Sequence, residues 1–341
     1  MKEASIIGLD LAKNVFQVHG AAANGEVVFR KKLTREKVLS FLGDLPATTI
    51  AMEACGSSHF WAREIAALGH QTKLIPPVYV KPFVKRQKSD SADAEAIAEA
   101  ATRATMRFVA VKSVDKQALG MVFRTRELYV RQRTQTINAL RGHLAEFGII
   151  APVGIVNIER LRSELELAAD RLPDAVVALS HDLLEQIAGL KIRITALDSK
   201  IHALTRQDDT SRRLMTIPGV GPICAAAVHA FAPPMETFRN GRDFAAWLGL
   251  TPRQHSSGGK ERLGKVSKMG QRDLRRLLTS GAMAVVRWAV RKGAPEGSWL
   301  QRMLSRKHRM LVAVALANKM ARTIWALSTN GQEYRDPALA R

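Results

Sequence analysis

Four acidic residues in the first third of the chain have types and spacing suited to metal chemistry. Asp10 lies in SIIGLDLAKNVFQVHG, which is apolar up to the aspartate and then alternates as a β-strand does. Glu53 follows the short apolar run 48–52, at a strand end. Asp90 and Asp93 are three residues apart where an Ala-rich helix begins, so they share one face. Acids that converge from two strands and a helix predict a site for Mg²⁺ or Mn²⁺.

Each acid taken singly also has a simpler explanation. Asp90 and Asp93 suit a helix N-terminus, where the macrodipole favours negative charge, and Glu53 suits a strand end in water. Asp10 is the hardest to explain in this way, because an unbroken apolar run precedes it and a buried, unpaired carboxylate is costly. Taken together, the four acids favour a metal site.

The elements that must position these acids form an α/β domain over residues 1–110. Asn24-Gly25 predicts a tight turn into a second strand over 26–33. Thr34 is expected to cap the helix that follows. The order strand, strand, strand, helix, strand, helix, strand, helix is typical of a mixed sheet of the ribonuclease-H type. That the acids meet in such a sheet is an argument by analogy with the fold.

The pattern over residues 111–208 predicts a helical linker or coiled-coil arm. The patterns over 115–147 and 158–205 are helical, with a break at Pro152 and an interruption near Pro173. The second segment carries an apolar stripe at three-and-four spacing, made of Leu179, Leu183, Leu184, Ile187, Leu190, Ile194, Leu197, Ile201 and Leu204. Such a stripe predicts a two-helix arm, for which pairing between protomers is a natural use.

Residues 209–330 predict a mostly α-helical C-terminal domain, followed by a tail over 331–341. Its first motif, IPGVGP, lies between two helical runs and resembles a helix-hairpin-helix. Gly219 and Gly221 would then let backbone amides approach a phosphate, aided by the next helix N-terminus. A tight turn between two packed helices is the alternative, since glycine and proline serve that equally well.

A polar stretch, residues 251–270, is predicted to be a functional loop. It contains three serines, four glycines and five Lys/Arg, and a loop this polar is uncommon in a compact domain unless it functions. The cations expected to neutralise phosphates here and on the following amphipathic helix are Arg253, Lys260, Arg262, Lys265, Lys268, Arg272, Arg275 and Arg276. From the residues alone, His255, Ser256 and Ser257 are loop residues that contact phosphate, and a nucleophilic serine is the minority interpretation.

Charge and composition narrow the class of protein. The 341 residues carry a net charge of +21, with 29 Lys/Arg against 24 Asp/Glu in residues 1–210 and 23 against 7 in residues 211–341. A basic C-terminal third beside an acidic cluster indicates nucleic acid as the partner. Cys55 and Cys224 lack paired spacing, so neither disulfides nor zinc are expected. No signal-peptide pattern or apolar run of membrane-span length is present, which predicts a cytoplasmic location.

The chain resembles a DEDD transposase of the insertion-sequence one-ten family, the group that includes Piv-type DNA invertases and bridge-RNA-guided recombinases. The residues that carry the resemblance are Asp10 in GLDLAKNVF, Glu53 in MEACGS, and Asp90 and Asp93 in KSDSADA. The C-terminal half adds IPGVGP and GLTPRQHSSGGKERLGKVSKMGQRDLRR. Two signatures in the correct order are far more specific than either alone. The motif QHSSGGK is similar to that of the subgroup whose non-coding RNA lies upstream of the gene.

The resemblance implies a composite mechanism. The N-terminal domain would have a Holliday-junction-resolvase-like fold in which the four acids hold Mg²⁺. The C-terminal domain would supply a nucleophilic serine at Ser257, with Ser256 as the alternative. The implied reaction excises and inserts a mobile element through a covalent phosphoserine–DNA intermediate. A bridge RNA would select the DNA, and dimers would assemble into a tetramer. The rival enzyme class is a structure-selective nuclease that uses the four acids and water, and a non-catalytic nucleic-acid scaffold is a second rival.

Overall fold

The computed structural model describes residues 3–85 and 89–335, and the chain forms two compact units, Met1–Ser113 and Val114–Arg341. The domain limits predicted from the sequence (1–110, 111–208, 209–330 and 331–341) stay predictions. Residues 336–341 of the predicted tail lie outside the described residues. A mixed α/β sheet unit followed by a mostly helical unit confirms the broad fold class.

The first unit is built on one five-stranded sheet with the order β3-β2-β1-β4-β5. The strands are β1 (Ile6–Asp10), β2 (Val15–Ala21), β3 (Val27–Thr34), β4 (Thr49–Glu53) and β5 (Gln71–Ile75). β1 pairs antiparallel with β2 and parallel with β4. Because β1 and β4 run in the same direction, their last residues, Asp10 and Glu53, lie at the same edge of the sheet.

Four helices accompany the sheet: α1 (Val38–Gly43), α2 (Ser58–Ala67), α3 (Pro77–Val80) and α4 (Asp90–Ala101). The predicted order of the longer elements is therefore observed. The predicted cap at Thr34 is wrong: a short 3₁₀ turn over Arg35–Lys37 comes first, and the Thr34 side chain makes no capping hydrogen bond. β3 continues through Thr34, so its hydroxyl belongs to a strand end.

The two faces of the sheet bury different partners. Ile7 and Leu9 of β1 pack in a core with α1 and α2, which includes Trp61. Ile6 packs on the opposite face in a core with the alanine-rich side of α4. Since successive strand side chains alternate between faces, Asp10 points to the same side as Ile6, which is the side that α4 covers.

Gly8 sets how closely α4 approaches β1. A Cβ atom at this position would lie 2.1 Å from the Ala94 carbonyl oxygen and 2.8 Å from the Ala98 nitrogen. Only hydrogen at residue 8 permits this separation, so the helix backbone rests directly on the strand. The direct contact fixes the N-terminus of α4, which carries Asp90 and Asp93, beside the end of β1.

Glu95 of α4 forms ion pairs with two cations, one of which lies on the edge strand β3. Glu95 accepts hydrogen bonds from Arg30 of β3 at 2.7 Å and from Lys85 at 2.5 Å. The Lys85 ammonium and Arg30 guanidinium lower the pKa of the Glu95 carboxyl. α4 is therefore tied to β1 by packing and to β3 by charge.

The second unit contains nine helices and one two-stranded ribbon in its described part. The helices are α5 (Val114–Ala145), α6 (Ile158–Ala168), α7 (Asp174–Gln207), α8 (Asp209–Met215), α9 (Pro222–Phe231), α10 (Gly241–Trp247), α11 (Arg272–Lys292), α12 (Trp299–Leu304) and α13 (Arg309–Asn330). The strands are β6 (Pro252–Gln254) and β7 (Leu263–Val266), paired antiparallel. The predicted loop over 251–270 is therefore corrected to a ribbon.

The long helices α5 and α7 pack against each other within one chain. Leu184 and Ile187 of α7 share a core with Leu140 and Leu144 of α5. Arg126 of α5 also pairs with Asp198 of α7. Leu179, at 63% exposure, lies outside this core. Most of the predicted apolar stripe thus serves an intrachain contact, and pairing between protomers stays a prediction.

By length and composition alone, α13 is apolar enough to cross a membrane. In this structure its buried residues, which include Val312 and Ile324, pack into the main core of the second unit beside α10 and α11. Asn318 donates a hydrogen bond to the Leu250 carbonyl oxygen at 3.2 Å. These contacts are those of a core helix.

Replacing Gly8 by Ala is expected to destabilise the protein by about 1–3 kcal/mol, because the added methyl group overlaps the Ala94 carbonyl and forces α4 away from β1. Urea denaturation of the full chain measures the loss. Gly43→Ala is the matched control, since its Cβ would meet only the Leu68 Cδ2 atom at 3.9 Å. Equal stability of both variants would contradict the close approach.

Candidate functional site

Three carboxylates meet at the edge of the sheet. Carboxylate oxygens of Asp10, Asp90 and Asp93 all lie within 4.8 Å of one another. Asp10 ends β1, and the other two occupy the first turn of α4, where the Ser89 hydroxyl caps the helix by accepting a hydrogen bond from the Ala92 nitrogen. Asp90 and Asp93 therefore fit both interpretations of the sequence: they lie at a helix N-terminus, and they also face a third acid.

Glu53 stands beside this group without being a member of it. It ends β4, whose register places Met52 opposite Leu9 in the parallel pair. Its negative charge raises the pKa of Asp10, after the larger contributions of burial, Asp93 and Asp90. The structure therefore brings three of the four predicted acids together and puts the fourth at the same sheet edge.

Asp10 shows the energetic cost of this arrangement most clearly. Partial burial, followed by repulsion from Asp93, Asp90 and Glu53, raises its pKa from 3.8 to about 6. The Leu11 backbone amide opposes this rise by donating a hydrogen bond to the carboxylate. The same negative field, after burial, helps to raise the pKa of the nearby Cys55 thiol.

A divalent cation fits the donor set. Carboxylate oxygens are the ligands that Mg²⁺ and Mn²⁺ prefer. A cation here would replace mutual repulsion by attraction. Asp10, Asp90 and Asp93 are the residues that could hold it, with Glu53 adding charge from β4.

The predicted nucleophile lies at the tip of the β6–β7 ribbon. Ser257 and Lys260 form a β-bridge, with the Lys260 nitrogen donating to the Ser257 carbonyl oxygen at 3.2 Å. Gly258 and Gly259 between them both have positive φ, 57° and 75°, as a type I′ turn requires. The tip is a defined hairpin turn that exposes Ser257.

The two neighbouring serines have different surroundings. The Ser256 hydroxyl accepts a hydrogen bond from the Arg262 nitrogen at 3.3 Å, within the ribbon. Within residues 3–85 and 89–335, the Ser257 hydroxyl makes no hydrogen bond, and it stands next to the Gly258 turn residue. Of the pair, Ser257 is thus the hydroxyl presented to an incoming group.

His255 belongs to the ribbon framework. Its backbone nitrogen donates to the Arg262 carbonyl oxygen at 2.8 Å. Its ring crosses to the other strand, where a Cβ atom at Gly264 would come within 2.9 Å of the ring. The glycine therefore makes room for the imidazole to lie across the ribbon.

A tight neck joins the ribbon to the helical core. A Cβ at Gly249 would lie 1.9 Å from the Met269 carbonyl oxygen, and one at Gly270 would lie 1.8 Å from the Trp247 carbonyl oxygen. The incoming and outgoing chains therefore cross backbone to backbone. Arg275 secures this crossing by donating to the carbonyl oxygens of Leu248 and Met269 at 3.0 and 3.2 Å.

The cations predicted to contact nucleic acid divide into two groups. Three make contacts within the chain: Arg275 holds the neck, Arg276 pairs with Glu127, and Arg253 reaches the Ser267 carbonyl oxygen at 3.3 Å. Partial burial and the Arg272 charge lower the pKa of Arg275. The other five cations, Lys260, Arg262, Lys265, Lys268 and Arg272, are exposed, and Arg253 and Arg276 are exposed as well despite their contacts.

The two glycines of the IPGVGP motif also differ. Gly219, with φ of 86°, packs on α11: its Cβ would lie 2.8 Å from the Gly281 carbonyl oxygen. This contact is consistent with the tight-turn alternative, and phosphate binding at Gly219 stays a prediction. Gly221 is exposed at the start of α9, with open space where a Cβ would stand.

Sequence reasoning missed the residues that position the site. Gly8 and the neck pair, Gly249 and Gly270, act through backbone contacts that no composition or periodicity reveals. Arg275 looked like one more arginine on a basic helix face. The signal that was present is the glycine itself: an isolated glycine in a strand, as at Gly8, indicates a close backbone approach.

Comparison with known proteins identifies the class. Residues 7–149 match the DEDD transposase model of the IS110 group, and residues 211–295 match the model described as the transposase IS116/IS110/IS902 family. The chain is a transposase and belongs to the IS110 family.

Its relatives cover nearly its whole length. It is 48% identical to a probable family 20 transposase of Pseudomonas aeruginosa over 333 residues, 97% of this chain and 98% of the relative. It is 39% identical to the transposase for insertion sequence element IS1328 of Yersinia enterocolitica, over 98% of this chain and 99% of the relative. The transposase for IS1111A of Coxiella burnetii is 37% identical, over 98% and 92%.

Metal-free protein is expected to gain stability from Asp10→Asn at high pH only. Because the folded state raises the pKa of Asp10 to about 6, ionisation destabilises the fold as the pH rises from 4 to 6, and the penalty persists above that. At pH 8 with chelator, the variant should be more stable by about 1–2 kcal/mol, a figure discounted for partial exposure. At pH 3.5 the two proteins should be alike. Urea denaturation at both values tests this, and an equal gain from the exposed-carboxylate control Glu36→Gln would contradict it.

Arg275→Met is expected to destabilise the protein by about 1.5–3 kcal/mol, because two backbone carbonyls at the neck lose a charged donor. The exposed Arg272→Met is the matched control and should change stability little while weakening DNA binding. Urea denaturation and fluorescence anisotropy separate the two effects. Loss of DNA binding without loss of stability in Arg275→Met would show that Arg275 contacts nucleic acid instead.

Proposed function

We propose that this transposase cleaves and rejoins DNA strands through a divalent-metal centre at Asp10, Glu53, Asp90 and Asp93 and a nucleophilic Ser257. The observation that carries the proposal is the convergence of three carboxylates within 4.8 Å in a protein of the IS110 transposase family. The strand order β3-β2-β1-β4-β5, with acids at the ends of two adjacent parallel strands, supports a ribonuclease-H-like fold for the first unit.

Each group has a separate task. When bound, Mg²⁺ or Mn²⁺ would polarise the scissile phosphate and stabilise the charge that develops there. The four carboxylates would hold the cation in place. Asp10 ionises fully only above its raised pKa of about 6. Exposed cations of the ribbon, such as Lys260 and Arg262, neutralise flanking phosphates.

The serine step conserves the energy of the phosphodiester. The Ser257 Oγ attacks phosphorus, the phosphorus–oxygen bond to one strand end breaks, and that end leaves as a free hydroxyl. The serine proton passes to solvent, and the leaving oxygen takes up a proton. A hydroxyl from another strand then displaces the serine by the reverse step, so strands are exchanged without net hydrolysis.

The position of Ser257 supports its assignment over Ser256. Ser257 opens a glycine turn at the exposed tip of a ribbon, so its hydroxyl can reach a phosphate, and Gly258 and Gly259 leave room for a substrate backbone. The Ser256 hydroxyl already accepts the Arg262 amide.

Selection of DNA by a bridge RNA and assembly of dimers into a tetramer belong to the same proposal. Their support is the resemblance of the C-terminal motif together with the basic character of residues 211–341, which carry 23 Lys/Arg against 7 Asp/Glu. A polyanion of either kind suits this surface.

A covalent-adduct assay tests the proposal. Purified protein is incubated with the non-coding RNA upstream of its gene, Mg²⁺ and a nicked suicide duplex made from the DNA that flanks the gene. The wild type should give a DNA-linked protein band, and Ser257→Ala and Asp93→Asn should abolish it. Ser256→Ala is the matched control and should retain the band. Metal-dependent cleavage that survives Ser257→Ala and leaves no protein-linked DNA would assign the chain to nucleases that use water.

A further inference from the structure

A groove runs along the foot of the serine ribbon, on the side of α12 and α13. It has a volume of about 740 Å³, within the range of about 300–1,000 Å³ typical of ligand sites. Its lining includes Pro252 and Val266 of the ribbon, Trp299 of α12, and Val314 and Asn318 of α13. We name it the ribbon-foot groove.

The groove has a mostly apolar lining that includes one aromatic ring. Trp299 is partly exposed where it lines the groove and does not belong to the buried core of the second unit. The Lys319 ammonium lies 5.2 Å from the centre of its ring, a cation–π contact. Leu311, at 51% exposure, extends the apolar surface at the rim. An aromatic ring next to a cation is the arrangement that stacks a nucleobase and neutralises its phosphate.

The positive charge on both sides of the groove favours a polyanion as the ligand. Residues 297–332, which contain α12 and α13, have six Lys/Arg and no Asp/Glu; the cations are Arg302, Arg306, Lys307, Arg309, Lys319 and Arg322. The ribbon segment 251–270 has five Lys/Arg and one acid, Glu261. An apolar protein segment would gain no binding free energy from this positive potential. A nucleic-acid strand would gain it from both the cations and the aromatic ring.

We propose that the ribbon-foot groove binds an unpaired nucleotide of the DNA strand that the serine ribbon attacks, with the base stacked on Trp299 and its phosphates next to Lys319 and Arg322. The inference rests on the proposed function for the choice of DNA. Pro252 and Val266 belong to the strands whose tip carries Ser257, so a strand held here is led along the ribbon towards the serine. Extruding one base at this point would fix which phosphate reaches Ser257.

The first test measures binding of a fluorescein-labelled single-stranded 20-mer DNA of mixed sequence, a blunt duplex of that sequence, and an RNA 20-mer. Trp299→Leu should weaken single-stranded DNA binding about ten-fold, since one stacked base contributes about 1–3 kcal/mol. Trp299→Phe should retain most of the affinity, and blunt duplex binding should stay unchanged. Trp288→Leu is the matched control, because Trp288 is 56% exposed on α11 and outside the groove. Lys319→Gln should lower the salt dependence of single-strand binding by about 0.7 in log–log slope.

The second test locates the base directly. The same 20-mer carrying 5-iododeoxyuridine is photo-crosslinked to the wild-type protein, which is then digested with trypsin. Cleavage after Lys292 and Arg302 releases the peptide 293–302, in which Trp299 is the only aromatic residue. The crosslink should fall on this peptide.

Unchanged DNA affinity in Trp299→Leu, or a loss confined to RNA, would overturn the proposal, as would equal losses in Trp299→Leu and Trp288→Leu. Failure of the proposed function is a separate outcome, because Ser257→Ala should abolish the covalent adduct and leave single-strand binding as in the wild type. A Trp299 effect in a protein that forms no adduct would keep the groove and remove the serine mechanism.

Discussion

Carboxylates held together against their own repulsion are the constraint on which this site depends. Oxygens of Asp10, Asp90 and Asp93 lie within 4.8 Å of one another, and the pKa of Asp10 rises to about 6 as a result of burial and this repulsion. What keeps the acids in place is packing elsewhere: α4 lies directly on Gly8 of β1, and Glu95 ties the helix to Arg30. The packing of α4 on β1 thus keeps the carboxylates together in spite of their mutual repulsion, which a bound cation would reduce.

A second constraint governs the serine. Ser257 lies on an exposed turn, and a mobile loop there would present its hydroxyl in many orientations. The Gly258-Gly259 turn at the tip of the ribbon and the Arg275 hydrogen bonds at its neck restrict the orientations of this hydroxyl. Rigid support far from the Ser257 hydroxyl would therefore serve the geometry that the proposed strand transfer requires. The proposed binding of a strand in the ribbon-foot groove would extend the same principle to the substrate, since a strand fixed at the foot would present one phosphate to the tip.

The sequence predicted the elements that carry strong local signals. Alternation around Asp10 identified β1, the Asn24-Gly25 turn identified the β2–β3 hairpin, and the Ala-rich run after Asp90 identified α4. Periodicity alone missed the β6–β7 ribbon, because its strands are short, exposed and polar and so lack an apolar face. Long-range backbone contacts, such as that of Gly249 with Met269, leave no local trace in the sequence. For the same reason the sequence did not predict the contacts that Arg275 and Arg276 make within the chain, and nucleic-acid binding by these two residues stays a prediction.

Calorimetric titration of Mn²⁺ into the full chain tests most directly whether the acids at the sheet edge bind a divalent cation. Titrations at pH 6 in buffers of different ionisation enthalpy also give the number of protons released. Because Asp10 has a pKa of about 6, binding at pH 6 should release about half a proton, and binding at pH 8 almost none. Asp93→Asn should remove the tight binding event. The same affinity and proton release in wild type and Asp93→Asn would contradict a metal centre at these residues.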